Sequence, residues 1–61
     1  MKAKIRIYQP YGQYGYCVSV EYRNKVLYHW IGHKSEKDTM IGKAAIFAYN
    51  GGFTSVEYIE S

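Results

Sequence analysis

The first eight residues, Met1 to Tyr8, alternate strictly. Lys2, Lys4 and Arg6 take one parity and Ala3, Ile5 and Ile7 the other. An extended chain here turns an apolar face to one side and a cationic face to the opposite side. Gln9-Pro10-Tyr11-Gly12-Gln13 interrupts the pattern with a proline and a glycine, the residues of a turn. From Tyr14 to Tyr22 the two-residue period returns, with Tyr16, Val18, Val20 and Tyr22 against Cys17, Ser19 and Glu21. Arg23-Asn24 predicts a tight turn, since asparagine tolerates left-handed backbone. Lys25 to Ile31 follows as a third strand that Gly32 ends. Together the three strands predict an antiparallel meander.

Beyond Gly32 the period changes. Met40, Ile41, Ala44, Ala45, Phe47 and Ala48 recur at three- and four-residue steps, which predicts an amphipathic helix reaching Tyr49. Ser35, with Asp38 three residues on, makes a start resembling a capping box. Asn50-Gly51-Gly52 makes a clean stop. Gly42 costs roughly 1 kcal/mol against alanine in a helix interior, which points to a close approach of neighbouring backbone. Phe53 to Ile59 alternates again as a fourth strand.

A helix between the third and fourth strands crosses one face of the meander. A right-handed crossover then brings the fourth strand parallel to the first or the third. Placement beside the first is favoured, giving the sheet order third-second-first-fourth. The predicted fold is α+β: a two-layer sandwich in the order β-β-β-α-β. It has a three-stranded antiparallel meander, a parallel fourth strand and one helix on one face, with residues 1–61 as a single compact domain.

The covered face claims Ile5, Ile7, Val18, Val20 and Val56. The open face receives Lys2, Lys4, Arg6 and Tyr8 from the first strand, and Cys17, Ser19, Glu21 and Arg23 from the second. Hairpin register decides the third strand, because a slip of one residue exchanges its faces. A two-residue turn pairs Val20 with Leu27, placing Leu27, His29 and Ile31 inside and Val26, Tyr28 and Trp30 outside. A three-residue loop reverses this. Turn-length frequencies favour the two-residue turn, which gathers Lys4, Arg6, Tyr28 and Trp30 on the open face.

Composition narrows the function classes. Eight Lys and Arg against five Asp and Glu leave a net charge of +3, a mild preference for an anionic partner. A chain of this length buries only about 60% of the surface that its unfolded form exposes. With one cysteine, Cys17, it has no internal disulfide to compensate. That usage suits a reducing interior, so the expected location is the cytoplasm, of a host cell if the chain is viral. The N-terminal lysines precede no apolar run of the kind a signal peptide needs, and no stretch approaches a membrane span. Eight tyrosines among 61 residues either fill strand positions, where tyrosine is at home, or stand on a recognition surface.

Candidate chemistry is sparse. His29 and His33 lie about 13 Å apart along a strand, too far to share one zinc unless the chain turns at Gly32. A Cys17–His29 pair has no third group to orient it, and in the favoured register the two lie on opposite faces. Glu21, Glu36, Asp38, Glu57 and Glu60 form no close pair suited to acid–base or two-metal work. The glycines at 12, 15, 51 and 52 do not stand between a strand and a helix start, as a phosphate loop requires. No catalytic residue, metal ligand or cofactor is expected.

Ile5-Arg-Ile-Tyr8 and Val56-Glu-Tyr-Ile-Glu-Ser61, in this order of elements, resemble the first and fourth strands of a truncated ribonuclease H-like domain and of the small HicB antitoxin domain. The nucleases of that group carry an acidic residue at the end of the first strand. Tyr8-Gln9-Pro10 stands there instead, which argues against nuclease activity. Trp30-Ile31-Gly32, followed by a helix carrying Ala44-Ala45 and Ala48-Tyr49-Asn50, is similar to the plant ethylene-response-factor DNA-binding domain and its phage integrase arm-binding relatives. Those domains read DNA with a three-stranded sheet packed on one helix. The spacing from the glycine to the alanine pair is longer here, and the arginine-rich strands are missing.

The expected function is a small non-catalytic module that binds nucleic acid through the open sheet face. Lys2, Lys4 and Arg6 meet phosphates, while Tyr28 and Trp30 stack on bases or line a groove; Tyr8 and Arg23 complete the expected nucleic-acid or partner-binding residues. The alternative is a protein-binding module, such as a small phage- or virus-encoded inhibitor of host or defence machinery, since Tyr, Trp and Arg are what interface hot spots use. A homodimer through the open face or an edge strand is a further expectation.

Overall fold

The computed structural model describes residues 1–9 and 15–60. Strand β1 spans Lys2–Tyr8, β2 Gly15–Tyr22, β3 Lys25–His33 and β4 Ser55–Glu60. Between β3 and β4 a single 3-10 turn, Lys34–Glu36, leads into helix α1, Lys37–Asn50. The sheet order is β3-β2-β1-β4, with β1 antiparallel to β2 and parallel to β4. This is the expected α+β order and the expected placement of the last strand. The expected turn at 10–13 and the start of the second strand at Tyr14 lie outside the described residues.

Helix and sheet share one core. Ala3, Ile5 and Ile7 from β1 and Val18 and Val20 from β2 are buried beneath Met40, Ala44 and Ala48 of α1. The four-residue spacing of those helix positions puts them on one stripe, and the two alanines leave room for the helix to lie close. Phe53 closes one end, its ring meeting Tyr22 edge-on at 5.0 Å between centroids. The fourth strand therefore begins two residues later than the alternation at Phe53 predicts. Met1 is tied to the approach of β4, because the Thr54 N–H donates to the Met1 carbonyl at 3.0 Å.

The helix stops where the glycines predict. The Gly51 and Phe53 N–H groups return to the Ala48 carbonyl at 3.1 Å each, and Gly52 takes φ +97°. Its start differs from the expected Ser35 cap. β3 continues through Gly32 to His33, and the His33 ring Nδ1 accepts from the Ser35 N–H at 3.1 Å. Glu36 Oε1 in turn accepts from the His33 N–H at 3.0 Å. The capping box is thus His33 with Glu36, and it opens the 3-10 turn. Gly42 also departs from expectation: among the described residues, nothing beyond its own helix lies within 4 Å of the place where a Cβ would stand. It faces solvent and marks no close approach.

The third strand carries the largest correction. The hairpin has its two-residue turn, with Arg23 at φ +53° and Asn24 at φ +64°, and Tyr22 faces Lys25. Glu21 pairs with Val26, but Val20 pairs with Tyr28 and not with Leu27. The extra residue is a β-bulge, and past it every side chain changes face. Tyr28 faces Val20 and Trp30 faces Val18, on the helix side, while His29 faces Ser19 and Ile31 faces Cys17, on the open side. The expected outward placement of Tyr28 and Trp30, and the inward placement of His29 and Ile31, are therefore reversed.

Candidate functional site

The open face of the sheet is built around one ion pair. Arg6 Nε donates to Glu21 Oε2 at 2.8 Å, and Ser19 Oγ donates to the same oxygen at 3.1 Å. β1 and β2 run antiparallel with Arg6 opposite Ser19 and Lys4 opposite Glu21, so the register itself aims the guanidinium diagonally at the carboxylate. The hydrogen bond from Arg6 holds the Glu21 carboxyl below its ordinary range, assisted by Ser19 and by the charges of Arg6 and Lys4 and opposed by partial burial. The same contact raises the Arg6 guanidinium.

Around this pair the strand ends and the turn enclose a hollow of about 180 Å³ lined by Lys2, Lys4, Arg6, Glu21, Tyr22, Arg23 and Asn24. Four of the eight Lys and Arg residues of the chain line it. Its one carboxylate among the described residues, Glu21, is already engaged by Arg6. Among the described residues, Lys2 and Lys4 have no ion-pair partner within 4 Å, and both are exposed. The Arg23 guanidinium lies 5.2 Å from the centroid of the Tyr22 ring, a cation–π contact that holds it at the rim. Glu57 of β4, opposite Lys4, is the second carboxylate on this face. The hollow is thus a concave, exposed corner with a surplus of positive charge.

The remaining predicted site residues are elsewhere. Tyr8 is on the open face at the far end of β1, six residues or about 20 Å from Lys2, with its hydroxyl accepting from the buried Cys17 thiol at 3.2 Å. Tyr28 and Trp30 are on the opposite face. Their rings meet at 4.9 Å between centroids, and both reach Phe47 of α1, at 5.6 and 5.8 Å. Lys2, Lys4, Arg6 and Arg23 are therefore brought together, and the aromatic half of the predicted surface is separated from them. Cys17 and His29 share the open face, contrary to the expected opposition, through the same bulge. The alternation of β2 places Glu21 on this face but carries no signal for its pairing with Arg6. The helical period marks Phe47 as apolar, and the structure makes it, 37% exposed, the centre of the ring cluster.

Among the described residues, no group of three His, Cys, Asp or Glu side chains could hold a metal ion, and no helix is long and apolar enough to cross a membrane. No protein-family profile matches the chain, and neither the curated proteins nor the solved structures contain a significant match.

Proposed function

We propose that this chain is a non-catalytic module that binds the phosphate backbone of nucleic acid at the corner formed by Lys2, Lys4 and Arg23. The observation that carries this reading is the gathering of Lys2, Lys4 and Arg23 around one hollow whose only carboxylate among the described residues, Glu21, is neutralised by Arg6. Lysine and arginine around a concavity serve for phosphate contacts, which position a ligand without reading its sequence. Arg6 is committed to Glu21, and that pair carries no net charge, so the excess positive charge of the corner comes from Lys2, Lys4 and Arg23.

Magnitude sets the expected behaviour. About three phosphate contacts on duplex DNA give a salt slope near −2.7, or roughly 40-fold weaker binding between 50 and 200 mM salt. With Tyr28 and Trp30 on the other face, base stacking is not part of the contact, so little sequence preference is expected. A cytoplasmic location is part of this proposal, as nucleic acid is accessible there.

Fluorescence anisotropy with labelled DNA and RNA tests it. Lys4→Gln combined with Arg23→Gln is expected to reduce affinity severalfold while leaving circular dichroism unchanged. The substitutions are neutral because a carboxylate at position 4 would stand between Glu21 and Glu57, and one at position 6 beside Glu21. Affinity that is insensitive to salt, or equal in the double variant, would contradict the proposal.

A second reading, a protein-binding module of the inhibitor type, is favoured by a different observation. The edge strand β3 exposes Val26, Leu27 and Ile31, and on its helix side the exposed Tyr28 meets the Trp30 and Phe47 rings. Aromatic residues on an exposed edge are the material of protein interfaces.

A further inference from the structure

β3 is an edge of the sheet, and among the described residues no strand pairs with its outer side. Backbone N–H and C=O groups on such an edge are left to water or to another chain. Monomeric proteins shield edges with charge, proline or short length. β3 is nine residues long, contains no proline or carboxylate, and has its one lysine at the first position. Its apolar side chains are open: Val26 is 59% exposed, Leu27 41%, Tyr28 53% and Ile31 57%. Val26, Leu27, Tyr28 and His29 also line a shallow hollow of about 410 Å³. The bulge blunts the first part of the strand, and residues 28–33 remain regular.

We propose that the occupant of this edge is a second copy of this chain, paired antiparallel along β3 about a two-fold axis at His29, so that two four-stranded sheets become one. Residues opposed across an antiparallel pair share a face, which limits the registers available. The register centred on His29 sets Tyr28 against the second copy's Trp30, and Trp30 against the second copy's Tyr28. Both pairs fall on the helix side, where these rings already gather on Phe47. Aromatic cross-strand pairs are among those that stabilise sheets. The same register brings Ile31 towards the second copy's Leu27, over the shallow hollow.

Charge favours a copy as well. Residues 26–32 hold no Lys, Arg, Asp or Glu, so the central stretch of two copies meets without opposed like charges of those types. A strand from an unrelated protein would need a matched apolar sequence that a copy supplies by symmetry. A small domain also gains proportionately more from additional burial. An axis perpendicular to the sheet keeps both helices on one side and both Lys2–Lys4–Arg23 corners on the other. If those corners bind phosphate as proposed above, the dimer doubles the footprint on one surface.

Sedimentation equilibrium without nucleic acid tests the proposal. Wild-type protein is expected to approach twice 7.1 kDa. Ile31→Lys is expected to lower the mass to that of one chain with unchanged circular dichroism, whereas Ile46→Lys, a change at an equally exposed helix position, leaves the dimer intact. In a Cys17→Ser background, His29→Cys is expected to form an interchain disulfide, because opposed Cα atoms at the axis lie about 4.5–5.5 Å apart, and Ile31→Cys is not. A wild-type mass of one chain at every concentration would overturn the proposal. So would a dimer that survives Ile31→Lys and gives no His29→Cys disulfide, or a foreign protein seated on β3 of a monomer. Because no nucleic acid is present, failure of the phosphate corner leaves this result unaffected.

Discussion

At the scale of single residues, the open face is governed by Glu21. Its carboxyl titrates below its ordinary value because the folded state surrounds the charged form with Arg6, Ser19 and Lys4. A group depressed in the folded state stabilises the fold above its unfolded pKa and loses that contribution as pH falls through the folded one. Denaturant midpoints measured from neutral pH to about pH 3 should therefore decline through the acidic range. Glu21→Gln should flatten that part of the profile. The Arg6 side chain is 38% exposed, and solvent screening there keeps the effect modest. Gly42 offers the opposite case, a residue with nothing to do. Gly42→Ala should raise stability by about 1 kcal/mol, or about 4–8 °C in Tm for a domain of this size. A thermal melt that falls on this substitution would show that the position is crowded after all.

At the scale of elements, the order, the crossover and the parallel fourth strand were legible because each element states its period clearly. β1 and β2 hold all their aliphatic residues on one parity, so their faces follow directly from the sequence. β3 does not. Val26, Tyr28 and Trp30 take one parity and Leu27 and Ile31 the other, and both sets are apolar, so no pattern identifies the extra residue. The bulge then exchanged the faces of everything after it. Its existence has a direct consequence: with Glu21 on Val26 and Val20 on Tyr28, removing Leu27 leaves a regular ladder in the same register. Deletion of Leu27 should therefore preserve the fold and the Trp30 fluorescence maximum. A blue-shifted emission, with Trp30 carried from the open face to the helix side by the deletion, would indicate that the pairing is regular from the two-residue turn in the intact chain. The helix start was misplaced for a different reason, since a histidine ring acting as N-cap acceptor is not among the residue types that mark a cap.

At the scale of the whole molecule, the sheet has two unlike surfaces, and each gathers one half of what the sequence placed together. Lys2, Lys4 and Arg6 on one face were readable from the first eight residues. The addition of Arg23 required the hairpin to close as it does, and the departure of Tyr28 and Trp30 required the bulge. Positive charge and aromatic area are thereby assigned to different places: the cations to a corner suited to phosphate, and the rings to an edge suited to a protein strand. If the corner alone contacts nucleic acid, as proposed, a two-dimensional amide and indole NMR titration with a short DNA or RNA oligonucleotide shows it. Shifts are expected at Lys2, Lys4, Arg6, Glu21, Tyr22, Arg23 and Asn24, with the Trp30 indole and the Tyr28 and Phe47 amides unmoved. Shifts centred on Trp30 and Tyr28, or none at any residue, would contradict the proposal.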